Sequence, residues 1–449
     1  MISSSISFVS FLLSTYPLLS SAAAAVKDDQ VNLLDHSGHR NLQEGAQTED
    51  DTCPGTPYLW KIIKDETGEH VGFGLGTLHL PVDLVLTDSA YASIINAVED
   101  SCAVYGEIDL ADMTVAAALA ECVGEVASEA ARISDIQDES LRLEYESVAR
   151  ELAVLVAGEG ADAALVDSNQ NALSNLPLYT LGMFIMYYNT PEYEEYLVPL
   201  LLGTPVPFLD ETILSLGRPN GGVEMVSTQC DIIRELYVTP ETLNEDSLRM
   251  SINGTFSEQI NLYRCGDIDS FVAAQELIFE EAAAAAAAAG GDELAMMFSE
   301  FQSALLDERN KQMAEMIDNI LKSSDNRALF AFGLSHWVVG ENKLLNLLKG
   351  YGYSLEHVPN YEENEGEDGD EDDNNDLSNE ECGVVFNSVT GEFDLIVGMS
   401  NSTGPSPTAS PVSSPSAEDT GSPSSGSVIK STASILSVLC AFGSLFLLN

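Results

Sequence analysis

The sequence predicts an α+β fold, an α/β-like central sheet flanked by many helices. Three observations predict it. Two apolar, glycine-rich runs, "GFGLGTLHLP" (Gly72–Pro81) and "LFAFGLSHWV" (Leu329–Val338), read as buried strands that end in Gly-x-x-His. A third run, "CAVYGEIDL" (Cys102–Leu110), is apolar in its first half, as a strand buried on both faces must be, and then turns acidic. Long helical segments separate these strands.

Taken in order, Tyr58–Lys64 and His70–Gly76 form two strands about an Asp-Glu-Thr-Gly turn. A helix follows, capped near Thr87 or Asp88, and leads to the strand at Cys102–Leu110. Residues 111–200 are mostly helical and include two long acidic, alanine-rich helices. "EEAAAAAAAAGGDE" (Glu280–Glu293) is low-complexity helix stopped by paired glycines and carries no chemistry. A long helix (Glu293–Ser324), a strand (Arg327–Gly333), a helix (Asn342–Lys349) and a strand (Tyr353–Val358) close the domain. "GVVFNSVTGEFDLIVG" (Gly383–Gly398) reads as a hairpin about its Thr-Gly turn.

The flanks differ in kind. Residues 1–25 have the apolar centre and small-residue end of a secretory signal. Residues 26–52 are polar and loose, and His36 and His39 there are solvent residues. The folded domain is expected over 53–360, an acidic linker over 361–381, the hairpin within 382–400 and a Ser/Pro/Thr-rich stalk over 401–427. Residues 428–449 end the chain in an apolar tail preceded by small residues and followed by no basic residue. That pattern favours a GPI-anchor signal, with a single transmembrane span as the alternative.

Cysteine usage agrees with an oxidising compartment. Setting aside Cys440 in the tail leaves Cys53, Cys102, Cys122, Cys230, Cys265 and Cys382, enough for three disulfides. No CxxC pair is present, which argues against a thiolate zinc site. Asn253 and Asn401 head glycosylation sequons.

The formal charge is −54, and the acidic run Glu362–Glu381 holds only 12 of the 72 Asp and Glu residues. The folded part is therefore acidic as well. Such a surface repels nucleic acid and anionic headgroups, argues against DNA, RNA or polybasic membrane contact, and attracts cations and basic partners. The plainer reading of the acidity is solubility.

His79, Glu107 and His336 each lie at the carboxyl end of a predicted strand, where function gathers in open α/β sheets. If the three strands are parallel neighbours, two imidazoles and a carboxylate face one point, a set suited to Zn, Mn, Fe or Co. The glycines would let the backbone turn tightly there. The competing reading makes the histidines hydrogen-bonded core residues. In the long helix, Leu305, Arg309, Met313 and Met316 or Ile317 share one face, so a guanidinium sits in an apolar stripe. It needs a carboxylate, either as a structural ion pair or as part of a site that stabilises an oxyanion.

"GFGLGTLHLP", "CAVYGEIDL", "LGRPNGGVEMVSTQ", "DERNKQM" and "FAFGLSHWVVGENKLLNLLKGYGYSLEHV" resemble, in that order, the motifs of the TraB/PrgY/GumN family, nearest to its Tiki branch of membrane-anchored metalloproteases. The resemblance runs from about Pro57 to Pro359. It implies an α+β fold related to the erythromycin-esterase and ChaN-like group, and a divalent-metal site for which Mn or Co is favoured. His79 and His336 match the family's histidines, Glu107 and Glu224 its glutamates, and Arg309-Asn310 its Arg-Asn pair. Ser227 and Thr228 stand where relatives often carry acidic residues, which touches substrate contacts more than the metal. The expectation is an extracellular, membrane-anchored metal-dependent peptidase acting on peptides or proteins. His79, His336 and a glutamate would hold the metal, Glu107 or Glu224 would serve as ligand or general base, and Arg309, with Asn310 beside it, would face the oxyanion. The alternatives are a metal-dependent esterase and a non-catalytic cell-surface protein that binds metal or haem.

Overall fold

In a computed structural model the described residues are 57–361, interrupted at 110–111, 159, 203, 205, 217–219, 241–242, 244, 278–279, 281–302, 324–326 and 360, together with 384–386 and 393–395. The proposed leader, the polyalanine run, the acidic linker beyond Tyr361, the stalk and the tail all lie outside the described residues.

A six-stranded sheet organises the domain. Its strands are β1 (Leu59–Lys64), β2 (Glu69–Thr77), β3 (Ala103–Gly106), β4 (Asn220–Gly222), β5 (Ala328–Gly333) and β6 (Tyr353–His357), in the order β4-β3-β5-β2-β1-β6. β4, β3, β5 and β2 are parallel neighbours, and β1 runs antiparallel to both β2 and β6. The expected side-by-side arrangement of the strands ending near His79, Glu107 and His336 is therefore present. β3 and β5 are buried along their whole length, as strands covered on both faces must be. Near the C-terminus, β7 (Val384–Phe386) pairs antiparallel with β8 (Phe393–Leu395), and the Thr-Gly turn expected between them lies outside the described residues.

The intervening chain is helical. It includes α1 (Asp88–Glu99), α2 (Met113–Glu129), α3 (Glu139–Ala157), α4 (Ala163–Ser174), α5 (Leu178–Tyr188), α6 (Leu209–Leu214), α7 (Val226–Leu236), α8 (Ser257–Cys265), α9 (Arg309–Ser323), α10 (Leu334–Val338) and α11 (Leu344–Gly350). The side chains that start several of them are chemically apt. Thr87, Asp112, Asp138 and Asp162 each accept a backbone N–H of the first turn, which satisfies a donor the helix leaves open. Cys122 in α2 and Cys230 in α7 are disulfide-bonded to each other, and Cys102 and Cys265 are also in disulfides. Among the described residues no helix is long and apolar enough to cross a membrane.

The glycines of the first motif act through space rather than through turns. None of Gly72, Gly74, Gly76 or Gly333 has a positive φ. A Cβ on Gly74 would lie 2.4–2.9 Å from ring atoms of Trp337, and one on Gly76 would lie 2.5 Å from Leu334. The bare stripe on β2 thus lets α10 lie against the sheet, and α10 is the element that carries His336.

Tyr361 is tied into the packed domain. Its N–H donates to Ser93 Oγ over 3.1 Å, its carbonyl accepts from Asn96 Nδ2 over 3.0 Å, and its hydroxyl donates to Asp100 over 2.7 Å. Tyr361 therefore belongs to the domain rather than to the acidic segment after it.

Candidate metal and active site

The carboxyl ends of the parallel strands carry the polar side chains. Glu107 follows β3 directly, Glu224 follows β4, and His336 sits on the short helix that β5 feeds. The Glu107 carbonyl accepts the N–H groups of Val223 (3.1 Å) and Glu224 (2.9 Å), and these bonds bring the two glutamates side by side. α9 supplies the cation between them. A π-helical stretch, Ser303–Glu308, leads into α9, and such stretches recur beside functional residues.

Arg309 is the first residue of α9 and is 4% exposed. Its Nε donates to Glu224 Oε1 over 2.8 Å, and its Nη2 donates to Glu224 Oε2 (2.8 Å) and Glu107 Oε2 (2.6 Å). Gln229 Nε2 also donates to Glu224 Oε2, over 2.6 Å. The buried guanidinium that the helical pattern required to be paired thus holds two carboxylates. The remaining oxygen, Glu107 Oε1, accepts the Gly333 N–H over 2.8 Å.

His336 is fully buried. Its Nδ1 lies 2.6 Å from Asn310 Oδ1, so with the amide oriented this way Nδ1 carries the proton and Nε2 the lone pair. Nε2 is buried without a hydrogen-bond partner and faces Glu107 Oε1 at 3.6 Å. Burial, and next the Arg309 guanidinium, lower the His336 imidazolium to about 3, so the ring is neutral at physiological pH. Burial by itself would raise the Glu107 carboxyl. The His336 ring, the Arg309 guanidinium and the Gly333 N–H more than offset that and hold it below the usual carboxylate range. Glu224 is pushed the other way, upward, by burial and by the like charge of Glu107, against the pull of Arg309.

His79 stands at the rim, with its side chain 32% exposed. Its Nδ1 lies 2.7 Å from Asp210 Oδ2. Desolvation would lower its pKa, but Asp210 outweighs that and raises it to about 9, with Glu107 and Glu211 adding to the effect. His79 and Glu107 each feel the other's charge. Two chain segments are stitched together to set this pair. Leu209 N donates to Leu80 O and Val82 N to Pro207 O, both over 3.0 Å, around an antiparallel bridge between Pro81 and Phe208.

The structure thus brings Glu107, Glu224 and Arg309 into one hydrogen-bonded group and sets the Asn310–His336 pair beside it, with His336 Nε2 3.6 Å from Glu107 Oε1 and His79 within electrostatic reach. Among the described residues, no three His, Cys, Asp or Glu side chains are already gathered as a metal site. The residues do fit a divalent cation in one respect. A buried neutral nitrogen without a donor or acceptor partner faces an ionised carboxylate oxygen, two electron-rich atoms that a cation would reconcile. Sequence reasoning missed Asp210. In "VPFLDET" it reads as an ordinary acid in a first helical turn, and no local signal ties it to His79.

The TraB/PrgY/gumN family model matches residues 58–357. Over 172 residues the chain is 30% identical to metalloprotease TIKI2 of Danio rerio, a match covering 35% of this chain and 33% of that protein. It is 22% identical to metalloprotease TIKI1 of Danio rerio over 340 residues (70% and 66% of the two chains) and 23% identical to metalloprotease TIKI1 of Homo sapiens over 330 residues (67% and 62%). The chain thus spans from a third to just under two thirds of these relatives. No solved structure matches it.

Proposed function

The chain belongs to the TraB/PrgY/gumN family, and on that premise we propose that it is an extracellular, membrane-anchored, metal-dependent peptidase. The observation that carries the reading is the pairing of His336 Nε2 with Glu107 Oε1 at 3.6 Å, buried and without a proton between them, at the carboxyl ends of parallel strands. The name metalloprotease on the relatives supports a peptide or protein substrate. Surface placement rests on the sequence patterns of residues 1–25 and 401–449. The acidic surface suits basic substrates or partners.

In this reading His336, Glu107 and His79 hold a divalent ion, with Mn or Co favoured by the resemblance. When bound, such an ion polarises the scissile carbonyl and acidifies a water. The chain's own groups prepare the place. Asn310 fixes the His336 tautomer, so that Nε2 presents its lone pair. The Gly333 N–H and Arg309 fix both oxygens of Glu107. Glu224 and Gln229 hold Arg309 in turn. With Arg309 engaged by two carboxylates, the geometry favours its ion-pair role over the oxyanion-facing one. Glu224, with both oxygens on Arg309, anchors that cation rather than taking a proton from water.

The test is an unbiased peptide library incubated with the purified full chain, read by mass spectrometry, with metal content measured in parallel. Cleavage should need Mn²⁺ or Co²⁺, stop with a chelator and be absent in His336→Ala. Stoichiometric metal with no cleaved peptide or ester would overturn the enzyme reading in favour of a binding protein. Hydrolysis of esters alone would move the assignment to an esterase.

A further inference from the structure

His79 and His336 are held differently. The Nδ1 of His336 meets a neutral amide, Asn310, inside the core, whereas the Nδ1 of His79 meets a carboxylate, Asp210, at the rim. The His79–Asp210 contact is built rather than incidental. The segment just after His79 and the segment just before Asp210 are joined by two backbone hydrogen bonds and an antiparallel bridge, so the two side chains start from a fixed separation. The strand end is fixed from a second side, because the Tyr263 hydroxyl donates to the Gly76 carbonyl over 2.6 Å. α6, which carries Asp210, packs back on the sheet, with Leu214 lying against Gly106 at the end of β3, next to Glu107. The Asp210 side chain is 14% exposed, its Oδ1 has no hydrogen-bond partner, and its Oδ2 meets His79.

We infer that Asp210 is a positioning residue that presents His79 to the metal: it accepts the hydrogen bond of Nδ1–H, turns Nε2 toward the carboxyl ends of β3 and β5, and strengthens that nitrogen as a donor. The inference rests on the metal reading above. A carboxylate behind a histidine ligand fixes the tautomer and raises its basicity, and removing such a partner lowers metal affinity or activity by about 10–100-fold.

The experiment compares the wild-type full chain with Asp210→Ala and Asp210→Asn. Mn²⁺ is titrated calorimetrically, and the histidine tautomers are read by long-range ¹H–¹⁵N spectra of metal-free protein. Asp210→Ala should bind Mn²⁺ about 10–100-fold more weakly. Asp210→Asn keeps an acceptor but not the charge and should fall between. In metal-free wild type, read at a pH above the value of about 9 to which Asp210 raises His79, the neutral ring should show Nδ1–H; in Asp210→Ala its tautomer should change while His336 stays as it is. Metal-free melting curves identify any variant that has merely unfolded, and for such a variant the Asn substitution decides. Unchanged His79 tautomer and unchanged Mn²⁺ affinity in a folded Asp210→Ala would overturn the positioning role. Absence of Mn²⁺ and Co²⁺ binding in wild type itself would instead overturn the metal reading, and with it the role assigned to Asp210.

Discussion

Asn310 Oδ1 lies 2.6 Å from His336 Nδ1, and both side chains are sealed from solvent. The amide therefore decides which ring nitrogen is left bare. Asn310→Ala should remove that choice and lower Mn²⁺ affinity by about 10–100-fold, the usual cost of losing a group behind a metal ligand. Calorimetric titration checks it. Affinity unchanged in a folded variant would mean that the backbone alone sets the ring.

Arg309 lies between two carboxylates, Glu224 buried and Glu107 partly so. Arg309→Ala leaves like charges facing each other with no counter-ion, and should destabilise the domain by about 3–5 kcal/mol. Adding Glu224→Gln to that variant should recover part of the loss, because one of the stranded charges is gone. Urea denaturation of wild type, Arg309→Ala, Glu224→Gln and the double variant measures both steps. Full additivity of the two substitutions would contradict the triad.

His70 gives the fold a pH dependence of its own. Burial, and next Arg327, lower its pKa from 6.5 to about 4. Between those values the unfolded chain binds more protons than the folded one. Stability therefore rises with pH from about 4 to 6.5, and this group adds no slope above that. Acidifying through the window should cost roughly 2–3 kcal/mol through this one ring. His70→Gln should flatten the curve there in melts taken across the range. Parallel curves for the two proteins would assign the acid sensitivity elsewhere.

Two glycines should answer to alanine with opposite signs. Gly74→Ala places a methyl within 2.4–2.9 Å of the Trp337 ring and should cost about 1–3 kcal/mol while disturbing the tryptophan near-ultraviolet signal. Gly124 sits inside α2 with nothing within 4 Å of its missing Cβ. Gly124→Ala should stabilise by up to about 1 kcal/mol. Thermal melts of the pair separate close packing from helix propensity.

Tyr361 should behave as part of the domain and the residues after it should not. Tyr361→Ala removes a ring packed on Phe73 at 5.1 Å between centroids, together with the hydroxyl bond to Asp100, and should cost about 2–4 kcal/mol. Deleting residues 362–381 should leave the melting temperature unchanged, because that run has too few apolar residues to pack. A large loss on deletion would give the acidic run a structural role.

What could be read in advance followed from local chemistry. Apolar runs that end abruptly in a polar residue marked His79, Glu107 and His336, and a 3.6-residue period placed Arg309 inside. The three-residue strand β4 was not legible, because "PNGG" reads as a turn and pairing with β3 is what makes it a strand. Asp210 was hidden for a related reason. Its partner lies 131 positions earlier by numbering, brought near by a bridge between two loops that carries no pattern of its own. The function of the glycines was legible only in part: their presence marked the site, but their work is to make room for Trp337 and Leu334, and that depends on a helix from the other end of the chain.

β5 lies between β2 and β3, although it is made long after both. During synthesis, β2 and β3 emerge without their common neighbour, and roughly 250 residues must follow Thr77 before Ala328 appears. At about 5–20 residues per second that is an interval on the order of 10–50 s. Throughout it His79 and Glu107 exist on a chain that has no His336, and two apolar strand edges stand open to wrong partners. A truncated or stalled chain can therefore carry both early motifs and still have no site. The order of the strands makes assembly of the centre a late event in the life of each molecule, one that waits for nearly the whole domain to be present.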